Sequence, residues 1–266
     1  MILKKVLKYI NSIPFKFTAK HYQVFGDSSS SLKNNSLNNV ESWDALRKSH
    51  PHYSIADSRE KWLEAVELKV VKDGQDGGLL QRAKDVSNLL NKEKISSVFS
   101  AGVGGAGLEY QIKKQNPEIQ ISCSEYSEVS VGVLKKVFIE SGEIILFDIL
   151  KGDWQGIKDK YIKDRQSVLL MYRLDAGFTD TEWEKIFEQI HKSGIENVIY
   201  IPTNLLTMLS LWNRKSRELK WLVKREPVSF AGYNRTRKTF QSYWSNLYTE
   251  KELKFGGLSS FFLKRK

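Results

Sequence analysis

The chain has 266 residues, 41% of them hydrophobic, which is enough to bury one sizeable core and carry an N-terminal extension. Its formal net charge of +11 calls for an anionic partner such as nucleic acid, phospholipid headgroups or a phosphorylated substrate. The single cysteine, Cys123, excludes an intrachain disulfide and fits a reducing, cytoplasmic setting; no run of about 18 apolar residues and no secretory leader is recognised.

The first twenty residues hold Lys4, Lys5, Lys8, Lys16 and Lys20, no acidic residue, and many interleaved apolar side chains. Two readings fit: a segment lying in a membrane interface with its lysines near anionic headgroups, or an N-terminal helix packed on the main domain or on a partner. Residues 26–39 (GDSSSSLKNNSLNN) are short and polar and read as a linker. The chain therefore divides into a basic extension with a Ser/Asn-rich linker, 1–57, and a main domain, 58–266, that begins with leading helices. Residues 58–72 have a helical pattern, and Leu79, Ala83, Val86 and Leu90 recur at helical spacing after Gly74, Gly77 and Gly78.

From residue 95 short apolar runs alternate with helical patterns, which predicts crossover units on a parallel sheet. The candidate strands are 95–100, 119–124, 144–148, 167–173 and 197–202, with helices at 107–115, 128–140, 155–163 and 181–192. Longer helical stretches follow at about 205–224 and 235–248. The C-terminal KELKFGGLSSFFLKR reads as strand, Gly256-Gly257 turn, strand. The expected fold class is α/β: a Rossmann-like, mostly parallel sheet of seven strands closed by an antiparallel hairpin, with an N-terminal helical extension.

In ISSVFSAGVGGAGLEYQ a strand runs into Gly102, Gly104, Gly105 and Gly107 before a helix, so the backbone can turn tightly and approach a ligand. Glu125 ends the second strand, where a carboxylate can accept from both hydroxyls of a ribose, and Asp148 ends the third. This arrangement resembles class I S-adenosylmethionine-dependent methyltransferases over residues 90–266. The resemblance implies that Gly102 and Gly104 contact the methionine part of S-adenosylmethionine, with Ser100 and Ala101 at its edge. It implies Glu125 on the ribose, Tyr126 against the adenine face, Asp148 on the adenine amino group and Ile149 beside the ring. The sequence departs from the family at Ser100, where an acidic residue is common, which leaves the methionine amino group to a different contact or to Glu109. Gly102, Gly104 and Gly107 also fit the dinucleotide pattern of an oxidoreductase; the closing hairpin argues against that reading.

After the fourth strand comes MYRLDAGFTDTEW, where the family's substrate and catalytic groups sit. Arg173 can hydrogen-bond an anionic or carbonyl-bearing acceptor and Asp175 can take a hydroxyl proton; a salt bridge or helix cap accounts equally well for each. The sequence lacks the Asn/Asp-Pro-Pro-aromatic signature of base-amino methylation. Tyr233 and Arg235 are candidates for acceptor binding, whereas Phe240, Tyr243 and Trp244 read as core. Together these stretches resemble bacterial methyltransferases encoded with surface-polysaccharide biosynthesis. No His/Cys/Asp cluster has metal-ligand spacing, so no metal site is assigned, and nothing requires magnesium, for which Asp175 or Asp148 would be the ligands.

The leading expectation is transfer of a methyl group from S-adenosylmethionine to an oxygen of a small-molecule or glycan acceptor, including a lipid-linked sugar, in the cytoplasm or at the inner face of the membrane. The alternatives are an RNA methyltransferase, motivated by the +11 charge, and a non-catalytic module that keeps the fold and the cofactor. Nucleic acid is the less favoured partner, because no appended RNA-binding motif is recognised.

Overall fold

The computed structural model describes residues 13–24, 54–72, 78–226 and 228–266. The predicted linker and the lysines at 4, 5 and 8 lie outside them. The elements are β1 (Thr18–Val24), α1 (Arg59–Lys72), α2 (Leu79–Lys92), β2 (Ser97–Ala101), α3 (Gly107–Gln115), β3 (Gln120–Glu125), α4 (Glu128–Val137) and β4 (Ile144–Leu146). There follow α5 (Trp154–Tyr161), β5 (Ser167–Tyr172), α6 (Asp180–Lys192), β6 (Asn197–Ile201), α7 (Met208–Val223), β7 (Val228–Arg235), α8 (Arg237–Trp244), β8 (Tyr248–Phe255) and β9 (Leu258–Arg265).

Seven strands form one sheet in the order β4-β3-β2-β5-β6-β9-β8. β2 to β6 are parallel, and β9 runs antiparallel to both β6 and β8. This is the α/β architecture expected from the alternating pattern and the Gly256-Gly257 turn, whose φ values of 50° and 81° suit a tight hairpin. The central strands are nearly continuous apolar runs because helices cover both faces. Period two then sorts the side chains: Val168 and Leu170 join one core cluster, with Val98, Ile199 and Phe262. Leu169 and Met171 join the other, with Phe99, Tyr200, Trp183 and Trp244.

Local signals set the helix starts. Thr179 accepts from Glu182 N while the Glu182 carboxylate takes the Thr179 N–H, a capping box that opens α6. Ser127 and Asp153 cap α4 and α5 with their side chains. β4 ends at Leu146, short of the predicted 148, because Asp148 Oδ1 accepts from Leu150 N at 2.8 Å and Lys151 N at 3.2 Å and turns the chain.

The structure departs from the sequence reading at β1 and β7. Thr18–Val24, assigned to the extension, pairs antiparallel with Val228–Arg235 in a separate two-stranded sheet, with a bulge between His21 and Tyr22. There Gly232 has φ 116°, and a Cβ on it would stand 2.5 Å from Ala176 O, so the close approach requires glycine. The described end of the expected helical extension is thus a strand, tied further by Phe17 N donating to Thr239 Oγ1 at 2.8 Å. Among the described residues no helix is long and apolar enough to cross a membrane.

Candidate functional site

The strand order reverses direction at β2, which has β3 on one side and β5 on the other. In an open parallel sheet the loops leaving the carboxyl ends of such neighbours diverge to opposite faces and leave a crevice. The residues singled out from sequence at the ends of β2, β3, β4 and β5 therefore collect on one edge. At the amino ends of the strands, a groove of about 520 Å³ is lined by charges that pair with one another, Arg165 with Glu196 and Lys264 with Glu93.

The floor of the crevice is the turn after β2. Ser100 and Ala101 are buried in the strand, and Gly102, Gly104 and Ala106 then take φ values of 65°, 56° and 54°. Left-handed φ at Gly102 and Gly104 would strain any other residue by about 1–2 kcal/mol. Val103 N donates to Ser124 O at 3.1 Å and extends the β2–β3 ladder into the loop. Gly104 N donates to Glu125 Oε2 at 2.9 Å, which fixes the loop to the end of β3. From the other side Trp62 of α1 donates its indole N–H to Gly105 O at 2.9 Å.

Open space faces the loop where side chains would stand: a Cβ built on Gly104 or Gly105 meets nothing within 4 Å. At Gly102 a Cβ would lie 2.6 Å from Leu174 Cδ2 and 3.3 Å from Ile149 Cδ1, so the loops after β4 and β5 meet over that glycine. Tyr126 and Asp148 are half-buried at the same edge.

Ser100 donates its hydroxyl to Glu109 Oε1 at 2.7 Å. Glu109 sits in the first turn of α3 and is only 1% exposed. Burial pushes its carboxyl up to about 7, the nearby Glu125 adds to the rise, and the Ser100 bond opposes it. A carboxyl poised near neutrality beside the glycine turn can hold either charge state around pH 7.

On the β5 side Arg173 is exposed, with φ 57° and its N–H on Ile201 O at 2.8 Å. Tyr233 of β7 is half-buried against the same loop, its N–H on Ala176 O at 3.1 Å. Two candidates have a different setting from the one their sequence positions suggest. Asp175 is 1% exposed, and its Oδ1 accepts from Thr203 N at 2.7 Å and Thr203 Oγ1 at 2.8 Å, tying the β5 loop to the β6 loop. Burial raises its carboxyl above the usual range while those bonds oppose the rise. Arg235 is fully enclosed; it donates to Asp180 Oδ1 at 2.7 Å and to the carbonyls of Asp175 and Phe178. Its charge is committed inside the protein.

Sequence reasoning missed Trp62, Leu174 and Thr203. Each acts on the site through a contact between residues at least 28 positions apart, or through an apolar side chain with no motif of its own. Among the described residues no group of three or more His, Cys, Asp or Glu side chains could hold a metal ion.

No protein-family model matches the chain, and no curated protein matches it in sequence. Solved structures do match. Human N-acetylserotonin methyltransferase in complex with S-adenosylmethionine aligns at TM-score 0.51 and 17% identity, over 90% of this chain and 64% of that one. The chain thus spans less than two thirds of the length of that protein. Mitomycin 7-O-methyltransferase aligns at TM-score 0.52 and 14% identity, over 91% of this chain and 76% of that one. At such identities the likeness is one of fold, and the fold is the Rossmann-like, seven-stranded sheet of these methyltransferases with its terminal antiparallel hairpin.

Proposed function

We propose that the chain is an S-adenosylmethionine-dependent methyltransferase acting on an oxygen of a small-molecule or glycan acceptor. The observation that carries this reading is the glycine turn at the strand-order reversal, bracketed by Glu125 on one side and by the buried Ser100–Glu109 pair on the other. Both solved proteins of this fold named above are methyltransferases, one by its name an O-methyltransferase and the other holding S-adenosylmethionine.

The residues fit the cofactor. The open space over Gly104 and Gly105 leaves room for a ligand against the backbone, with Ser100, Ala101 and Gly102 beneath it. Glu125 has lone pairs for about four hydrogen bonds, so its bond to Gly104 N is compatible with acceptance from ribose hydroxyls. Tyr126, Asp148 and Ile149 line the side assigned to adenine. Glu109 supplies, through the floor of the turn, the negative charge that Ser100 lacks, for the ammonium of the amino-acid portion. When bound, the cofactor supplies an electrophilic methyl group on a sulfonium.

Arg173 and Tyr233 stand at the mouth on the β5 side and orient the acceptor. Asp175 is assigned to positioning: its Oδ1 braces this loop through Thr203, and service as a base would fall to Oδ2 of a carboxyl that is only 1% exposed. Arg235 is assigned to the framework of the same loop. Alignment of acceptor and methyl donor contributes most to such a displacement. We further propose a glycan acceptor, a place beside surface-polysaccharide assembly, and peripheral contact of residues 1–20 with the inner face of the membrane. Their support is the sequence resemblance and the basic extension.

Isothermal titration with S-adenosylmethionine, its demethylated product and NADH tests the reading. Micromolar affinity for the two sulfur compounds, lost in Glu125→Ala, is expected; preference for NADH, or no binding, overturns it.

A further inference from the structure

Helix α7 is the described helix with no buried residue. Its half-buried side carries Leu211, Arg214, Glu218 and Trp221 and rests on β1. The face beside it carries Met208, Trp212, Leu219, Leu222 and Val223, which are 52%, 72%, 61%, 74% and 76% exposed, with Lys215 set among them. Their spacing of four, seven, three and one residues places them on one stripe of the helix. An exposed apolar stripe of this kind marks an interaction surface rather than a solvated one.

The chemistry around the stripe selects the partner. Between residues 208 and 226 the sequence has six basic side chains and two acidic ones. Lys215, Arg217, Lys220, Lys224 and Arg225 are exposed. A second copy of α7 packed on this face would bring like charges together. A nucleic acid would use the cations and leave Trp212, Leu222 and Val223 in water. An anionic phospholipid surface satisfies both halves, taking the apolar stripe at the acyl boundary and the lysines among the headgroups. We infer that α7 is a membrane-docking helix for anionic bilayers, independent of residues 1–20. Because α7 begins at Met208, capped by Thr207 a short loop after the carboxyl end of β6, docking sets the carboxyl edge of the sheet close to the lipid. The inference stands whether or not the cofactor reading holds, since it uses none of the crevice residues.

Vesicle flotation of the full chain tests it, with phosphatidylcholine alone against phosphatidylcholine containing about 30% phosphatidylglycerol. The expected result is partition onto the anionic vesicles at least about tenfold above the neutral ones. Trp212→Glu/Leu222→Glu and, separately, Lys220→Glu/Lys224→Glu should each remove most of that gain, while Trp212→Phe keeps it. All of these side chains are exposed, so thermal melts should match the parent. The inference is overturned if the parent does not float, or if both double variants float as well as the parent, which would assign binding to the N-terminal segment. It is equally overturned if Trp212→Glu/Leu222→Glu instead disperses a lipid-free dimer, or if the lysine variant loses RNA binding with no change in flotation.

Discussion

Glu109→Gln is the sharpest probe of the cofactor reading. In the parent the buried carboxyl titrates at about 7 rather than at its ordinary 4.5. If the cationic amino-acid end of the ligand needs the carboxylate, apparent affinity follows the ionised fraction, roughly 0.1 at pH 6.0 and 0.8 at pH 7.5. Affinity for S-adenosylmethionine should therefore fall about eightfold from pH 7.5 to pH 6.0, with proton release on binding at the lower pH. Its demethylated product keeps the ammonium but not the sulfonium, and it should fall in parallel. Glu109→Gln should bind both weakly and with a flat profile. Calorimetric titration at the two pH values reads all of this without turnover.

The same group links stability to pH with a definite sign. An acid whose folded value lies above its unfolded one holds more protons when folded, so stability drops as pH rises from 4.5 to 7 and levels off above. The difference corresponds to about 3 kcal/mol lost across that window. Urea denaturation at pH 5 and pH 8 should show a smaller pH slope in Glu109→Gln than in the parent. Equal slopes, together with an unchanged pH profile of binding, would refute the assignment of Glu109.

Trp62→Phe removes the indole N–H from Gly105 O and should weaken cofactor binding about fivefold, near the worth of one hydrogen bond, with the fold intact by circular dichroism. Gly104→Ala places a Cβ in open space at φ 56°, so it should cost only about 1–2 kcal/mol in urea denaturation while the methyl group intrudes where the ligand lies and lowers affinity at least about tenfold. Arg235→Ala strands the carbonyls of Asp175 and Phe178 and should lose about 3–5 kcal/mol of stability by urea titration. Asp175→Asn preserves an oxygen for Thr203, so kcat within about fivefold of the parent supports a brace, whereas a loss of 100-fold or more at unchanged cofactor affinity makes Asp175 the base.

The parallel core was legible because each strand is buried on both faces and so writes an uninterrupted apolar run such as Val168 to Met171, separated by amphipathic helices with their own caps. The glycine turn and Glu125 were legible for a local reason: the backbone conformation and the strand end lie within a few residues of the motif. β7 was not. Its sequence VSFAGYNR has a glycine inside and follows a helix, and its partner β1 lies more than 200 positions away, so nothing nearby announces the pairing. The enclosed setting of Arg235 was not legible for the same reason, since its acceptors become visible only once the β5 loop folds beneath β7. Glu109 was approached only by elimination, through the missing acid at position 100.

β7 and Arg235 both lie on the β5 side of the crevice, and that has a functional consequence. On the proposed reading the cofactor half of the crevice is built from strand ends whose positions the sheet register dictates, so its geometry is constrained wherever this fold recurs. On the same reading the acceptor half is built from the β5 loop, the β6 loop and the β1–β7 ribbon, joined by contacts such as Tyr233 N to Ala176 O and Asp175 to Thr203 that no register imposes. Acceptor identity therefore depends on packing between distant segments, the property that single-sequence reasoning reads worst. It follows that exchanging Arg173 or Tyr233 should alter KM for the acceptor with cofactor affinity unchanged, whereas changes at Glu125 or Gly104 should do the reverse. A substitution on the β5 side that weakened cofactor binding as strongly as Gly104→Ala would mean that the two halves are not separable, and Leu174, which reaches across to Gly102, is the residue through which they would be coupled.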